Sequence, residues 1–207
     1  MKMFLVLLTL LFPVVTVEAA TAFYRAPGNG WGYIALSKSS LLEDGVNGVR
    51  INPPYRVYPP GAANKKFYFL IQDAVTDDHD YISMEPVPGE MIGVGQFLAH
   101  RSFYDYVDHE HIGFDWSSGS RGLNTSTSFV NVLEVEYGAD GLPTVLAVDF
   151  IQFEETWNKL PMDFTTETYS FGSFRYNSSI PMTTSIPEPA SLLFMAVATP
   201  FFFRRRR

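Results

Sequence analysis

Residues 128–154 read SFVNVLEVEYGADGLPTVLAVDFIQFE, and this stretch decides the fold class. In Ser128 to Tyr137, Leu133, Val135 and Tyr137 point one way while Glu134 and Glu136 point the other. That is the period-two alternation of a strand with one wet face. Gly138-Ala139-Asp140-Gly141 carries the residue types of a tight turn, and Thr144 to Glu154 is a second strand-like run, so the pair predicts a hairpin. Working outward, Lys66 to Asp73 (KFYFLIQD) and Gly93 to His100 (GVGQFLAH) read as strands, as do Trp31 to Ser37 and Phe171 to Asn177. Gly, Pro, Asn and Asp separate them, and no helix-length apolar period, repeat or low-complexity tract interrupts the pattern. The expectation is all-β: a single antiparallel β-sandwich-like domain over residues 23–180, with a linker at 181–186.

Composition agrees with one folded domain. Of the 207 residues, 15% are aromatic, which is enough apolar matter for a core. The chain has no cysteine, which removes a disulfide framework, a thiolate zinc site, an iron–sulfur cluster and a cysteine nucleophile. Residues 23–186 hold ten basic against twenty acidic side chains. A surface of that sign repels phosphate backbones, so nucleic acid is not an expected partner.

The two ends carry the plainest signals. Met1-Lys2 is followed by the apolar run Met3 to Val17 and then by Glu18-Ala19-Ala20-Thr21-Ala22. A positive start, a short lipid-soluble helix and a small-residue exit predict a secretory signal peptide over residues 1–22, cut after Ala19 or Ala22. The competing reading is a retained membrane anchor, for which the run is short of the about 20 residues that a span prefers.

At the other end stand Pro187-Glu188-Pro189, the uncharged run Ala190 to Phe203, and Arg204, Arg205, Arg206 and Arg207. The 14-residue run would be about 21 Å long as a helix, against a hydrocarbon core of about 30 Å, and Pro200 disturbs its last turn. The arginines set topology by staying cytoplasmic, which leaves the diproline tripeptide extended on the outer side of the membrane. An ordinary tail anchor accounts for the helix but not for the tripeptide.

Residues 187–207 resemble the PEP-CTERM sorting signal of Gram-negative bacteria. The resemblance implies recognition of Pro187, Glu188 and Pro189 by an exosortase-like membrane protease or transpeptidase, after export through the general machinery and signal peptidase. It further implies transient residence in the inner membrane, and then the cell surface or an exopolysaccharide-rich biofilm matrix. The middle is similar to a β-rich domain of other PEP-CTERM proteins, in which a "GRGCN" turn, a "G-x-D-G" hairpin, a "DFEQHCEG"-like strand and a "GSIRYNS" segment follow in order. Here those places read Ser120-Arg121-Gly122-Leu123-Asn124, Tyr137-Gly138-Ala139-Asp140-Gly141, Asp149-Phe150-Ile151-Gln152-Phe153-Glu154-Glu155 and Gly172-Ser173-Phe174-Arg175-Tyr176-Asn177-Ser178. Leu123 and Glu154 occupy the family's two cysteine positions, which implies that they lie within disulfide reach of one another, about 7 Å between Cα atoms.

Candidate chemistry in the middle is sparse. His109 and His111, spaced for one face of a strand, are candidate metal ligands, with a solvated polar loop as the alternative. Asp73, Asp77, Asp78 and Asp80 could ring a calcium ion or form a charged turn. Ser117, Ser118 and Ser120 have no locatable His and Asp partners, and Glu154 and Glu155 alternate in direction along a strand. No cofactor and no catalysis are expected. Trp31, Tyr33, Tyr55, Tyr58, Tyr104, Tyr106 and Trp116 are rings that could stack on sugars if several share one outer face, which keeps a carbohydrate-binding module as an alternative. A metal-dependent enzyme using His109 and His111 is the further alternative.

Overall fold

A computed structural model describes residues 19–27, 39–56, 66–101, 111–119, 126–154 and 168–184. Among them ten strands form: β1 (Ala20–Pro27), β2 (Ser40–Glu43), β3 (Val49–Ile51), β4 (Phe67–Asp73), β5 (Asp78–Glu85), β6 (Gly95–His100), β7 (Ile112–Ser118), β8 (Ser126–Tyr137), β9 (Pro143–Glu154) and β10 (Tyr169–Ser178). The all-β expectation holds. A sandwich needs two sheets, however, and these strands make one, in the order β2-β1-β10-β9-β8-β6-β7-β5-β4-β3. Its terminal strands β2 and β3 touch, so the sheet nearly closes on itself. One seam departs from antiparallel pairing: β6 and β7 run parallel through Ala99↔Ile112 and His100↔Gly113. No helix among the described residues is long and apolar enough to cross a membrane; the two terminal apolar runs lie outside the described residues, as does the Trp31 to Ser37 strand.

The hairpin that decided the fold class is present, with Ser126↔Glu154 at its open end and Tyr137↔Pro143 beside the turn. Gly141 closes that turn at φ 73°, a left-handed conformation that glycine adopts without steric cost. Its register contains a correction. Val132 pairs with Val148 and Glu134 with Ala147, so Leu133 is an extra residue without a cross-strand partner. This bulge re-phases the strand: Val130 and Val132 before it, and Val135 and Tyr137 after it, all pack into the same core. Strict alternation would have turned one of those pairs outward.

The core lies inside the curled sheet. Ring pairs connect strands that are far apart in the sheet order: Phe69 of β4 meets Phe174 of β10 at 4.7 Å, Phe114 of β7 meets Phe150 of β9 at 4.7 Å, and Phe23 of β1 meets Trp116 of β7 at 5.8 Å. Each fully buried phenylalanine contributes up to about 3 kcal/mol of apolar burial, so the closure is driven chiefly by these rings. A second cluster of Ala26, Ile151, Phe153, Tyr169 and Phe171 sits on the opposite face of β1, β9 and β10.

Gly172 faces inward beneath the Phe150 ring, its cross-strand partner. A Cβ there would lie 2.5 Å from Phe150 Cζ and 2.8 Å from the Tyr24 carbonyl oxygen. Gly172→Ala is therefore expected to destabilise the fold by about 1–3 kcal/mol, seen as a lower denaturant midpoint at unchanged slope.

Candidate functional site

Period two assigns the outer face of β4, β5 and β7. With Phe67, Phe69, Ile82, Met84, Phe114 and Trp116 turned into the core, Tyr68, Ser83, Glu85 and Asp115 face the other way. The register Tyr68↔Ser83↔Asp115 sets three of them in one row across the strands. Tyr55 joins that row through an isolated bridge to Tyr68, and the two rings stack at 5.7 Å and 24°. The Lys66 ammonium lies 5.0 Å from the centre of the Tyr68 ring. Arg101 Nε stands 3.6 Å from Asp115 Oδ2, while Asp115 Oδ1 is buried without a hydrogen-bond partner.

The charges in this patch are balanced, two of each sign, and crowding shifts their titration. Burial pushes the Asp115 carboxyl up, opposed by Arg101 and Lys66. Burial likewise pulls the Lys66 ammonium down, against the pull of Asp115 and Glu85. The Tyr68 hydroxyl is pushed up to about 12 by burial first, then by Glu85, Tyr55 and Asp115. An aromatic platform beside paired charges suits a polar, hydroxyl-rich ligand better than an anion or a cation.

A second arrangement lies on the outer face of β9 and β10. Arg175, 1% exposed, uses its guanidinium fully: NH1 donates to the Val148 and Phe174 carbonyls, Nε to those of Ile180 and Pro181, and NH2 to Pro181 at 2.8 Å. NH2 also stands 2.9 Å from Asp149 Oδ1. Asp149 in turn accepts from the Ser173 hydroxyl at 2.6 Å and the Thr183 hydroxyl at 2.7 Å, and the Thr183 amide donates to Ser173 Oγ at 3.1 Å. Residues 180–184 are thus strapped onto the domain, where the sequence predicts a linker.

The predicted site residues scatter. Asp73 accepts from the Val75 and Thr76 amides in the β4–β5 turn, and these bonds, the Val75 one foremost, hold its carboxyl below the ordinary range. Asp77 is a turn residue at φ 56° and Asp78 is exposed, whereas Asp80 turns inward, 2% exposed, to Arg25. The calcium ring is not assembled, and among the described residues no group of three His, Cys, Asp or Glu is placed to hold a metal ion. His111 packs its ring 4.8 Å from that of His100, a neighbour the motif did not point to. Ser117 faces outward and Ser118 inward, where it accepts from Arg25 NH1, a cation rather than a base. Trp116 is buried in the core and drops out as a sugar platform, while Tyr55 is 37% exposed. His109, Leu123, Ser120, Glu155, Trp31, Tyr33, Tyr58, Tyr104, Tyr106, Pro187, Glu188, Pro189 and Arg204 to Arg207 lie outside the described residues. Ala22 is 3% exposed inside β1, and Ala19 immediately precedes that strand.

No protein-family model, no curated protein and no solved structure matches this chain.

Two tyrosines, Tyr68 in this patch and Tyr137 packed against the core, give the fold a pH signature. Burial pushes Tyr137 as well as Tyr68 to about 12. An acid whose folded value is raised binds its proton more tightly in the folded state, so the stability it adds is complete below the unfolded value of about 10. That contribution is expected to drain between about pH 10 and 12, measured as a falling denaturant midpoint, and Tyr68→Phe with Tyr137→Phe should flatten the decline.

Proposed function

We propose that this chain is an exported, non-catalytic cell-surface or matrix protein, delivered by its N-terminal leader and sorted through a PEP-CTERM tail by an exosortase-like membrane enzyme. The order Pro187-Glu188-Pro189, apolar run, four closing arginines carries the reading. Two terminal helices belong to it: the leader helix and a short membrane helix over 190–203. The placement of the folded part supports it. β1 begins at Ala20 and the strap's hydrogen bonds run to Thr183, so these contacts fall between a leader cut after Ala19 and the tripeptide. Of the two leader cuts, the one after Ala19 keeps β1 whole. A cut after Ala22 removes its pairings with Glu43 and Arg175 and the Thr21 contacts to Asp44 and Asn177.

Under this reading the two prolines present an extended segment to the processing enzyme and Glu188 is its charge handle. Glu188→Ala with the prolines kept, or deletion of Arg204 to Arg207, is expected to leave the tail uncut on an inner-membrane precursor. Intact mass of the protein recovered from membrane, surface and medium checks this; unchanged processing of both variants removes the sorting reading.

The Tyr55 and Tyr68 stack beside Lys66, Glu85 and Asp115 favours a second reading, in which the outer face of β4, β5 and β7 binds a neutral polysaccharide. Tyr55→Ala is then expected to reduce retention on an exopolysaccharide column by about tenfold or more, with the fold unchanged by circular dichroism. Equal retention of wild type and variant excludes that surface.

A further inference from the structure

We infer that His100 and His111 form a two-imidazole site for a divalent transition ion of the zinc or copper class, on the outer face of the sheet where β6 meets β7. The sequence pairs His111 with His109; the fold pairs it with a ring from another strand. Period two decides the face. Ala99 and Ile112 are core residues, so their neighbours His100, His111 and Gly113 turn outward. The parallel register sets His100 opposite Gly113, which has no side chain, and this leaves room for the His100 ring to reach His111. The ring centres are 4.8 Å apart with their planes at 75°. Each side chain is half-buried, so neither ring is closed off from solvent.

The spacing is that of two ligands on one ion. Zinc and copper take an imidazole nitrogen at about 2.0–2.1 Å, and the ring centre lies roughly 1.1 Å beyond it. Two nitrogens about 90–109° apart at the ion therefore hold the ring centres roughly 4.5–5.2 Å apart. The observed separation falls inside that window. Rotation about the Cβ–Cγ bond, a broad torsion in histidine, turns a nitrogen toward the ion while the ring centre stays nearly in place. Among the described residues no third His, Cys, Asp or Glu completes a group of three, so water fills the remaining positions. Glu85, opposite Gly113 on β5, lies in the same outward row as His100, and its carboxylate favours a cation there. Arg101, the next residue in the chain, is engaged by Asp115. An ion held by both rings ties β6 to β7 at a seam of two residue pairs, the shortest ladder among the described strands. Binding the folded state better than the unfolded chain, it staples that seam by linkage.

The chain has four histidines, so four single alanine variants of the full-length protein cover every imidazole. Copper(II) is the probe for ligand count, read as nitrogen splitting in the electron paramagnetic resonance spectrum, with affinity from calorimetric titration. Wild type is expected to bind one copper(II) through two imidazole nitrogens. His100→Ala and His111→Ala are each expected to show one nitrogen and to bind about tenfold or more weakly, while His79→Ala and His109→Ala stay within about twofold of wild type. Zinc is expected to raise the denaturant midpoint of wild type and to lose that effect in His100→Ala and His111→Ala. A wild-type spectrum with fewer than two imidazole nitrogens overturns the site, whatever the variants do. Binding lost in His109→Ala and kept in His100→Ala also overturns it, and assigns the ion to the sequence motif.

Discussion

The nearly closed sheet depends on a charged brace across its interior. Arg25 of β1 reaches over the core to Asp80 of β5 with NH1 2.7 Å from both carboxylate oxygens. Trp116 Nε1 of β7 donates to the same carboxylate at 3.0 Å, and Arg25 Nε donates to Ser40 of β2 at 2.9 Å. Burial pushes the Asp80 carboxyl up, and Arg25, Trp116 and Ser118 oppose that shift by stabilising the charge. A buried pair of this kind gives little net stability, yet removing one partner strands the other at a cost of about 3–5 kcal/mol. Its worth is directional. Apolar rings tolerate many ways of closing a sheet, whereas an ion pair with fixed donors selects one. Gln152 of β9 adds a second tie, its amide bonding both the backbone N–H and the carbonyl of Trp116 as a neighbouring strand would.

Two arginines on opposite faces of adjacent strands thus do different work. Arg25 points inward and locks β1 against the far half of the sheet; Arg175, one strand over on β10, points outward and holds the strap. Both exploit the several N–H donors of the guanidinium: Arg25 serves the Asp80 carboxylate and the Ser40 and Ser118 hydroxyls, and Arg175 the Asp149 carboxylate and backbone carbonyls. Because β1 lies between β2 and β10, the first strand among the described residues pairs with the last. Closure therefore waits for β10, and the long sequence separation makes it a slow, late step.

Strands β4, β6, β8, β9 and β10 were legible because their apolar alternation is local and needs no partner to be read. β1 was hidden by its own composition: Ala20, Thr21 and Ala22 look like the exit of a leader, and only the register with β2 and β10 places them in the sheet. β5 opens with Asp78 and Asp80, which read as a cation site or a charged turn until Arg25, 55 positions earlier, is seen to neutralise Asp80. Closure into one sheet was not legible at all, since it rests on contacts such as Phe69 with Phe174 that no periodicity encodes. Of the site residues, Tyr55 was singled out for its ring, but Tyr68, Asp115 and Lys66 assemble only through the register of three strands. Arg175 is an ordinary basic residue in a strand until the strap folds back over it.

The charge distribution ties these parts together. The span between the end signals carries twice as many acidic as basic side chains, while four arginines, Arg204 to Arg207, cluster beyond the apolar run. Under the sorting reading, a domain tethered by its tail beside the membrane brings that negative surface toward anionic headgroups. The repulsion is screened over about 8 Å at physiological ionic strength, so it acts on the nearest face alone. Under that reading, cutting the tail removes the tether, and the acidity of the domain then favours its departure from the membrane.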